Sequence, residues 1–126
     1  MNKYNIKVKL DFIVTDEDID DIMATALEGG INYWCDKATV VGDYLGEFAS
    51  EQIARGGTLK LHDAEENKNH LLTRDGILIG IKKAIEENYF ANYGWFNGNE
   101  LDTCNIDAEV ADVIIQFAIF DDVVYG

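Results

Sequence analysis

The apolar residues change their spacing at Thr15, and this change constrains the fold more than any other feature of the chain. Residues 5–14 alternate, with Ile6, Val8, Leu10 and Phe12 on one side and Lys7, Lys9 and Asp11 on the other. That two-residue period predicts a half-buried strand. Beyond Thr15 the apolar positions are Ile19, Ile22, Met23, Ala26 and Leu27, a spacing that makes one stripe along a helix. Thr15 supplies an N-cap oxygen, and Asp18 stands where the capping-box glutamate would be. Gly29-Gly30 stops the helix.

The same reading extends along the chain. INYWCDKATVV (31–41) is rich in aromatic and β-branched residues and predicts a second strand. Residues 42–57 show no clear period beyond one or two helical turns in SEQIARGG, with Ser50 as cap. TLKLHD (58–63) and NHLLT (69–73) bracket a polar loop and predict a hairpin. Thr73 caps a helix that buries Ile77, Ile81, Ala84 and Ile85, and Asp107 caps another that buries Val110, Val113, Ile114, Phe117 and Ala118. Residues 89–105 read as irregular, and DDVVYG as a short terminal strand. The expected order is β-α-β-(short α)-β-β-α-α. The fold class is α+β, a small antiparallel sheet with about three helices packed on one face, in a single domain over 1–126.

A 48% hydrophobic composition suits a globular protein. No apolar run approaches the roughly 20 residues that span a bilayer. The alternation over the first ten residues reads as a strand and not as a signal peptide, so a cytosolic location is the default expectation. Cys35 and Cys104 lie far apart in sequence; a single disulfide is one reading, and two buried free thiols in a reducing compartment is the favoured one. With no proline in the chain, Gly, Asn and Asp shape the loops.

Charge narrows the range of functions. The net charge is −14, from 24 acids against 10 bases. Such a surface repels nucleic-acid phosphates and anionic membranes, and favours a basic partner or simply solubility. The acids are unevenly placed, since no Lys or Arg lies between Lys9 and Lys37 or after Lys83. On the first helix Asp16, Glu17, Asp20, Asp21 and Glu28 are expected to point away from the apolar stripe, and on the last helix Glu109 and Asp112 likewise. Side by side, the two helices would carry one continuous anionic surface. The competing reading is local, because acids in a first turn complement the helix dipole by ~0.3–1 kcal/mol each. That effect covers Asp16, Glu17 and Asp18 and fades before Asp20 and Asp21.

Few residues suggest chemistry. Asp16, Asp18 and Asp20 have the opening spacing of a calcium loop, but its glycine position holds Asp21 and its closing glutamate position holds Leu27. His62 and His70 flank the hairpin and would need to face each other to hold a metal with Asp63 or Glu65. Cys35 lies in an apolar strand, where a buried thiol is the ordinary outcome. Phosphate-binding glycine loops, HExxH and GxSxG are missing from the sequence. The expectation is no catalytic residue, no metal and no cofactor. NYFANYGWFNG (88–98) is dense in aromatics that either cover the core or anchor a partner, with Trp95 the candidate anchor.

The words DIDDIMATALEGGINYWCDKA, GDYLGEFASEQIARGGTLKLHDAEE and AEVADVIIQFAIFDDVVYG cover most of the chain. They resemble small acidic proteins encoded in phages and mobile elements of gut Firmicutes. No residue roles carry over with that resemblance. It implies a genetic setting in which acidic inhibitors of host defence are common, many resembling DNA in charge or blocking a basic nucleic-acid groove. The expected function is a non-enzymatic acidic binding protein of the anti-CRISPR or anti-restriction, DNA-mimic type. Its partner would be a basic protein surface on a nucleic-acid-binding effector. Two alternatives stand beside it. One is a small-ligand binder or nucleotide-signal sponge, with aromatic loops and the mid-chain cations Lys37, Arg55, Lys60, Arg74, Lys82 and Lys83. The other is a protein whose acidity only keeps it in solution.

Overall fold

The computed structural model describes residues 1–87, 89 and 96–126. Helix α1 spans Asp16–Thr25 and opens with a reciprocal capping box. Thr15 Oγ1 accepts from the Asp18 amide at 3.1 Å, and Asp18 Oδ2 accepts from the Thr15 amide at 3.0 Å, satisfying two of the amides a helix start leaves orphaned. The helix runs on into a five-residue π-helical turn, Ala26–Gly30. Glycine is required at the end of that turn, since a Cβ on Gly30 would stand 2.7 Å from the Ala108 carbonyl oxygen.

Three antiparallel strands follow in the order β1 (Cys35–Val41), β2 (Thr58–Asp63) and β3 (Lys68–Leu72). Val40 pairs with Leu59 and Leu59 with Leu72, while Ala38 pairs with Leu61 and Leu61 with His70. These residues share one face, on which Leu59, Leu61 and Leu72 are fully buried. Lys60 and Leu71, one register step away, are exposed, as the two-residue period requires. Asp36 is an extra residue in β1, between the Cys35–Asp63 and Lys37–His62 pairs, and makes a bulge.

Helices α2 (Arg74–Glu86) and α3 (Ala108–Phe120) pack closely, and each is capped as the sequence predicts, by Thr73 Oγ1 and Asp107 Oδ1. The core gathers Ile19, Ile22 and Met23 of α1, Ile77 and Ile81 of α2, Ile114 and Phe117 of α3 and the inner face of the sheet. Trp34 is also buried in it. The expected α+β class, with helices on one face of a small antiparallel sheet, is the observed one.

Four local expectations are corrected. Among the described residues, 5–14 form no strand ladder. The segment makes one bridge, parallel, from Ile13 to Glu100, and the Ile13 amide donates to Asn99 O at 2.8 Å. The strand it meets, β5 (Glu100–Leu101), is two residues long and turns back at once to β4 (Phe96–Asn97). Among the described residues the ladder has no longer strand to continue along, and Tyr4, Ile6, Val8 and Leu10 stay 64–84% exposed. Second, the β4–β5 hairpin lies within the stretch expected to be irregular. Third, the tail after α3 is no strand; it is tied down by a side chain, as described below. Fourth, Cys104 is an exposed free thiol, and Cys35 alone is buried. Among the described residues no helix is long and apolar enough to cross a membrane.

Candidate functional site

The acids predicted to form one surface separate into three groups. Asp16, Glu17, Asp21 and Glu28 are exposed along α1 and its π-helical continuation, and Glu109 is exposed in the first turn of α3. Among the described residues none of the five makes an ion pair. Two contacts bring their elements together. Thr103 Oγ1 donates to Asp21 Oδ2 at 2.7 Å, joining α1 to the turn that precedes α3. The close approach of Gly30 to Ala108 sets the end of the π-helical turn against the start of α3. Exposed Glu100 and Asp107 lie on the segment that leads into α3.

Asp20 forms the second group, because a mid-chain cation reaches it. The Arg55 guanidinium lies 3.7 Å from Asp20 and 3.6 Å from Glu51. Even so, the Asp20 carboxyl is held above its ordinary range: partial burial raises it more than Arg55 lowers it, and Glu51, Asp16 and Asp21 add repulsion. Paired with Arg55 and partly buried, Asp20 is less available to a partner than its four exposed neighbours.

Asp112 is the third case and a correction. It was expected on the solvent side of α3 but is 5% exposed. Tyr33 OH donates to its Oδ2 at 2.5 Å and Trp34 Nε1 to its Oδ1 at 2.7 Å. Gln116 Nε2, one turn along, lies 3.0 and 3.1 Å from the two oxygens. The reason was present in AEVADVIIQFAIF. A helix apolar on nearly every side is buried on nearly every side, so its polar residues at positions i and i+4 go inside with it and must find partners there.

Gln116 extends this network to the chain's last residues. Its Oε1 accepts the amides of Val124 and Tyr125, each at 2.8 Å, and its Nε2 lies 3.1 Å from Tyr125 O. The side chain thus serves the tail as a neighbouring strand would. Tyr125 stacks on Trp34 with ring centroids 5.8 Å apart and donates its hydroxyl to buried Asp63 at 2.7 Å. Both tyrosines are pushed up to about 12, Tyr33 by burial and by the Asp112 carboxylate, Tyr125 by its bond to Asp63 and by burial. Burial raises Asp63, but Tyr125 and the Glu66 and Glu65 amides outweigh it and hold the carboxyl below its ordinary range. A phenol that gives up its proton this reluctantly is a poor nucleophile or base, so the network reads as a latch on the tail.

His62 and His70 do not meet. The register sets His62 opposite Asn69 and His70 opposite Leu61, on opposite faces of the hairpin. His62 Nδ1 lies 2.6 Å from Asp36 Oδ1 and Nε2 lies 2.8 Å from Asn67 Oδ1, whereas His70 packs edge-on against Phe120. Cys35 is raised by burial, as an unreactive core thiol would be. The bond to Asp36, then the one to Asn67, raises His62 above its ordinary value. This imidazolium contribution to stability is full below an unfolded value of about 6.5 and is lost as pH rises through the higher folded value. In a pH titration followed by NMR, Asp36→Asn is expected to bring the His62 midpoint down. An unmoved midpoint would reject the pairing.

Trp95 and most of the aromatic loop lie outside the described residues. The mid-chain cations line no aromatic pocket among the described residues. Arg55 is held by Asp20 and Glu51, Lys83 is bound to Asp121, and Lys82 lies 3.9 Å from Glu86. A groove of about 1000 Å³ between the leading segment and α2 is lined by Lys9, Lys82, Asp11 and Glu86 among apolar side chains, with Phe12 its one aromatic among the described residues. The chain matches no family model, no curated protein and no solved structure.

Proposed function

We propose that the protein is a non-catalytic binding protein whose acidic face engages a basic protein surface, of the kind that grips nucleic-acid phosphate. In the bacterial setting that the sequence resemblance implies, such a partner is a restriction or CRISPR effector. One observation carries this reading: Asp16, Glu17, Asp21, Glu28 and Glu109 are exposed, unpaired with any base and set on elements that touch one another. The face is smaller than the sequence suggests, because Asp112 is buried and Asp20 is shared with Arg55. Fixed carboxylates on rigid helices steer a cationic partner inward and make its association salt-sensitive.

The test replaces the five acids by Asn or Gln and leaves Thr15 and Asp18, and so the α1 cap, intact. The unaltered chain is expected to retain a basic nucleic-acid-handling protein from a bacterial lysate at low salt, and to lose it to competing duplex DNA. Toward that protein, the neutralised chain should associate about tenfold more slowly or worse. Equal association by both chains, or binding indifferent to salt and to DNA, would reject the proposal.

A further inference from the structure

Two exposed features have unpaired strand-forming backbone among the described residues, and each presents apolar side chains. The first is the segment leading into α1. It has the alternation of a strand, it forms no ladder, and Tyr4, Ile6, Val8 and Leu10 stand in solvent. Residues 1–10 hold three lysines and no acid, so the remainder of the chain is more acidic than the −14 of the whole. The second feature is the outer edge of β1. The sheet order leaves β1 at a margin with no further strand beside it among the described residues. Backbone N–H and C=O groups on such an edge invite another strand.

The two edges of the sheet differ. On the β3 side the inward-facing Leu72 is fully buried and His70 is covered by Phe120. On the β1 side Ala38 and Val40 face inward but are only half-buried, although their partners Leu61 and Leu59 are fully covered. The apolar layer is therefore open along β1. Beyond Val41, the loop carrying Tyr44, Leu45 and Phe48 adds more exposed apolar surface. That loop is held in place. Buried Gln52 accepts the Leu45 amide at 2.9 Å and donates to Asp43 O at 3.1 Å, and Glu51 accepts the amides of Glu47 and Phe48. Exposed Asp36, Asp43 and Glu47 stand at the two ends of the edge.

We propose that the leading segment of one copy adds as a strand to the β1 edge of a second copy. Ile6, Val8 and Leu10 then extend the half-open layer at Ala38 and Val40. Lys7 and Lys9 lie on the opposite face of the added strand, which in the sheet carries Lys37 and Lys60, with Asp43 and Glu47 beyond the end of β1. Strand addition of this kind draws affinity from the main chain and specificity from alternate side chains. Exchange in both directions gives a closed two-fold dimer. Within its own copy the strand that the segment meets among the described residues, β5, ends after two residues.

Sedimentation of the full chain over a range of concentrations tests this. A species of twice the 14.1 kDa chain mass is expected. The triple variant Ile6→Glu, Val8→Glu, Leu10→Glu changes only exposed side chains, so circular dichroism should match the unaltered chain while the dimer dissociation constant rises at least about tenfold. A synthetic peptide of residues 1–12, titrated onto that isotope-labelled variant, should move the NMR signals of 36–41. A chain that stays monomeric up to about 1 mM, a triple variant that dimerises unchanged, or a peptide response away from β1 would each overturn the proposal.

Discussion

Replacing Asp112 by alanine is expected to lower the unfolding free energy by about 3–5 kcal/mol. The carboxylate is the acceptor for Trp34 Nε1 and Tyr33 OH, and it lies within hydrogen-bond reach of Gln116 Nε2. Trp34 is buried, so its indole N–H has no water to turn to, whereas Gln116 Nε2 keeps Tyr125 O at 3.1 Å and Tyr33 OH at 3.2 Å. Each orphaned buried donor costs about 1–3 kcal/mol. Tyr33 is half-exposed and recovers a water, so Tyr33→Phe is expected to cost only about 0.5–1.5 kcal/mol. Asp112→Asn keeps the volume and one acceptor but turns an amide toward donors, and falls between the two. Urea unfolding with an unchanged m-value reads all three. Against a total of about 5–15 kcal/mol for a domain, the alanine variant sits near the edge of folding. An Asp112→Ala chain within about 1 kcal/mol of the parent would show that the latch contributes little. The result also bears on function: reversing the charge at Asp112 would unfold the chain and leave the acidic face untested.

The parts of the fold legible in the sequence are those governed by neighbours along the chain. Thr15 with Asp18, Thr73 and Asp107 are caps whose oxygens reach amides three residues on, so the local word contains the interaction. The β2–β3 hairpin is legible for the same reason. The leading segment shows where this stops. Its alternation is a sound strand pattern, but a strand also needs an edge of matching length, and the two residues of β5 cannot be inferred from residues 5–14. Asp112 shows a second limit. Treating every acid as solvent-facing fails when the whole circumference of its helix is apolar, and the Asp112/Gln116 spacing in α3 was the available signal. The acidic face was legible as a base-free run of sequence, but not its extent. That extent depends on Arg55 crossing from another element to Asp20, and on Thr103 and Ala108 drawing α1 to α3.

The α2–α3 contact yields one substitution with opposite outcomes at two positions. Gly76 and Gly80 both lie in α2, and alanine is preferred over glycine in a helix by about 1 kcal/mol. At Gly76 a new Cβ would meet nothing nearer than Thr73 Oγ1 at 3.5 Å and Ala118 O at 3.6 Å, which is ordinary contact. Gly76→Ala is therefore expected to raise stability by about 0.4–1 kcal/mol, much of it through the unfolded chain. At Gly80 a Cβ would overlap the Ile114 carbonyl oxygen and stand 3.2 Å from Ala118 Cβ. A backbone carbonyl in the middle of α3 cannot swing aside as the end of a lysine would, so the two helices must separate. Overpacking of this kind costs about 1–3 kcal/mol, occasionally more, and the separation reaches Ile77, Ile81 and Ile114, all buried at that contact. Gly80→Ala is thus expected to be destabilising by about 2 kcal/mol net despite the gain in propensity. Thermal unfolding of the two single variants against the parent resolves the sign at each site. Stabilisation by alanine at both positions would mean that α2 and α3 do not cross at Gly80 as closely as the structure places them.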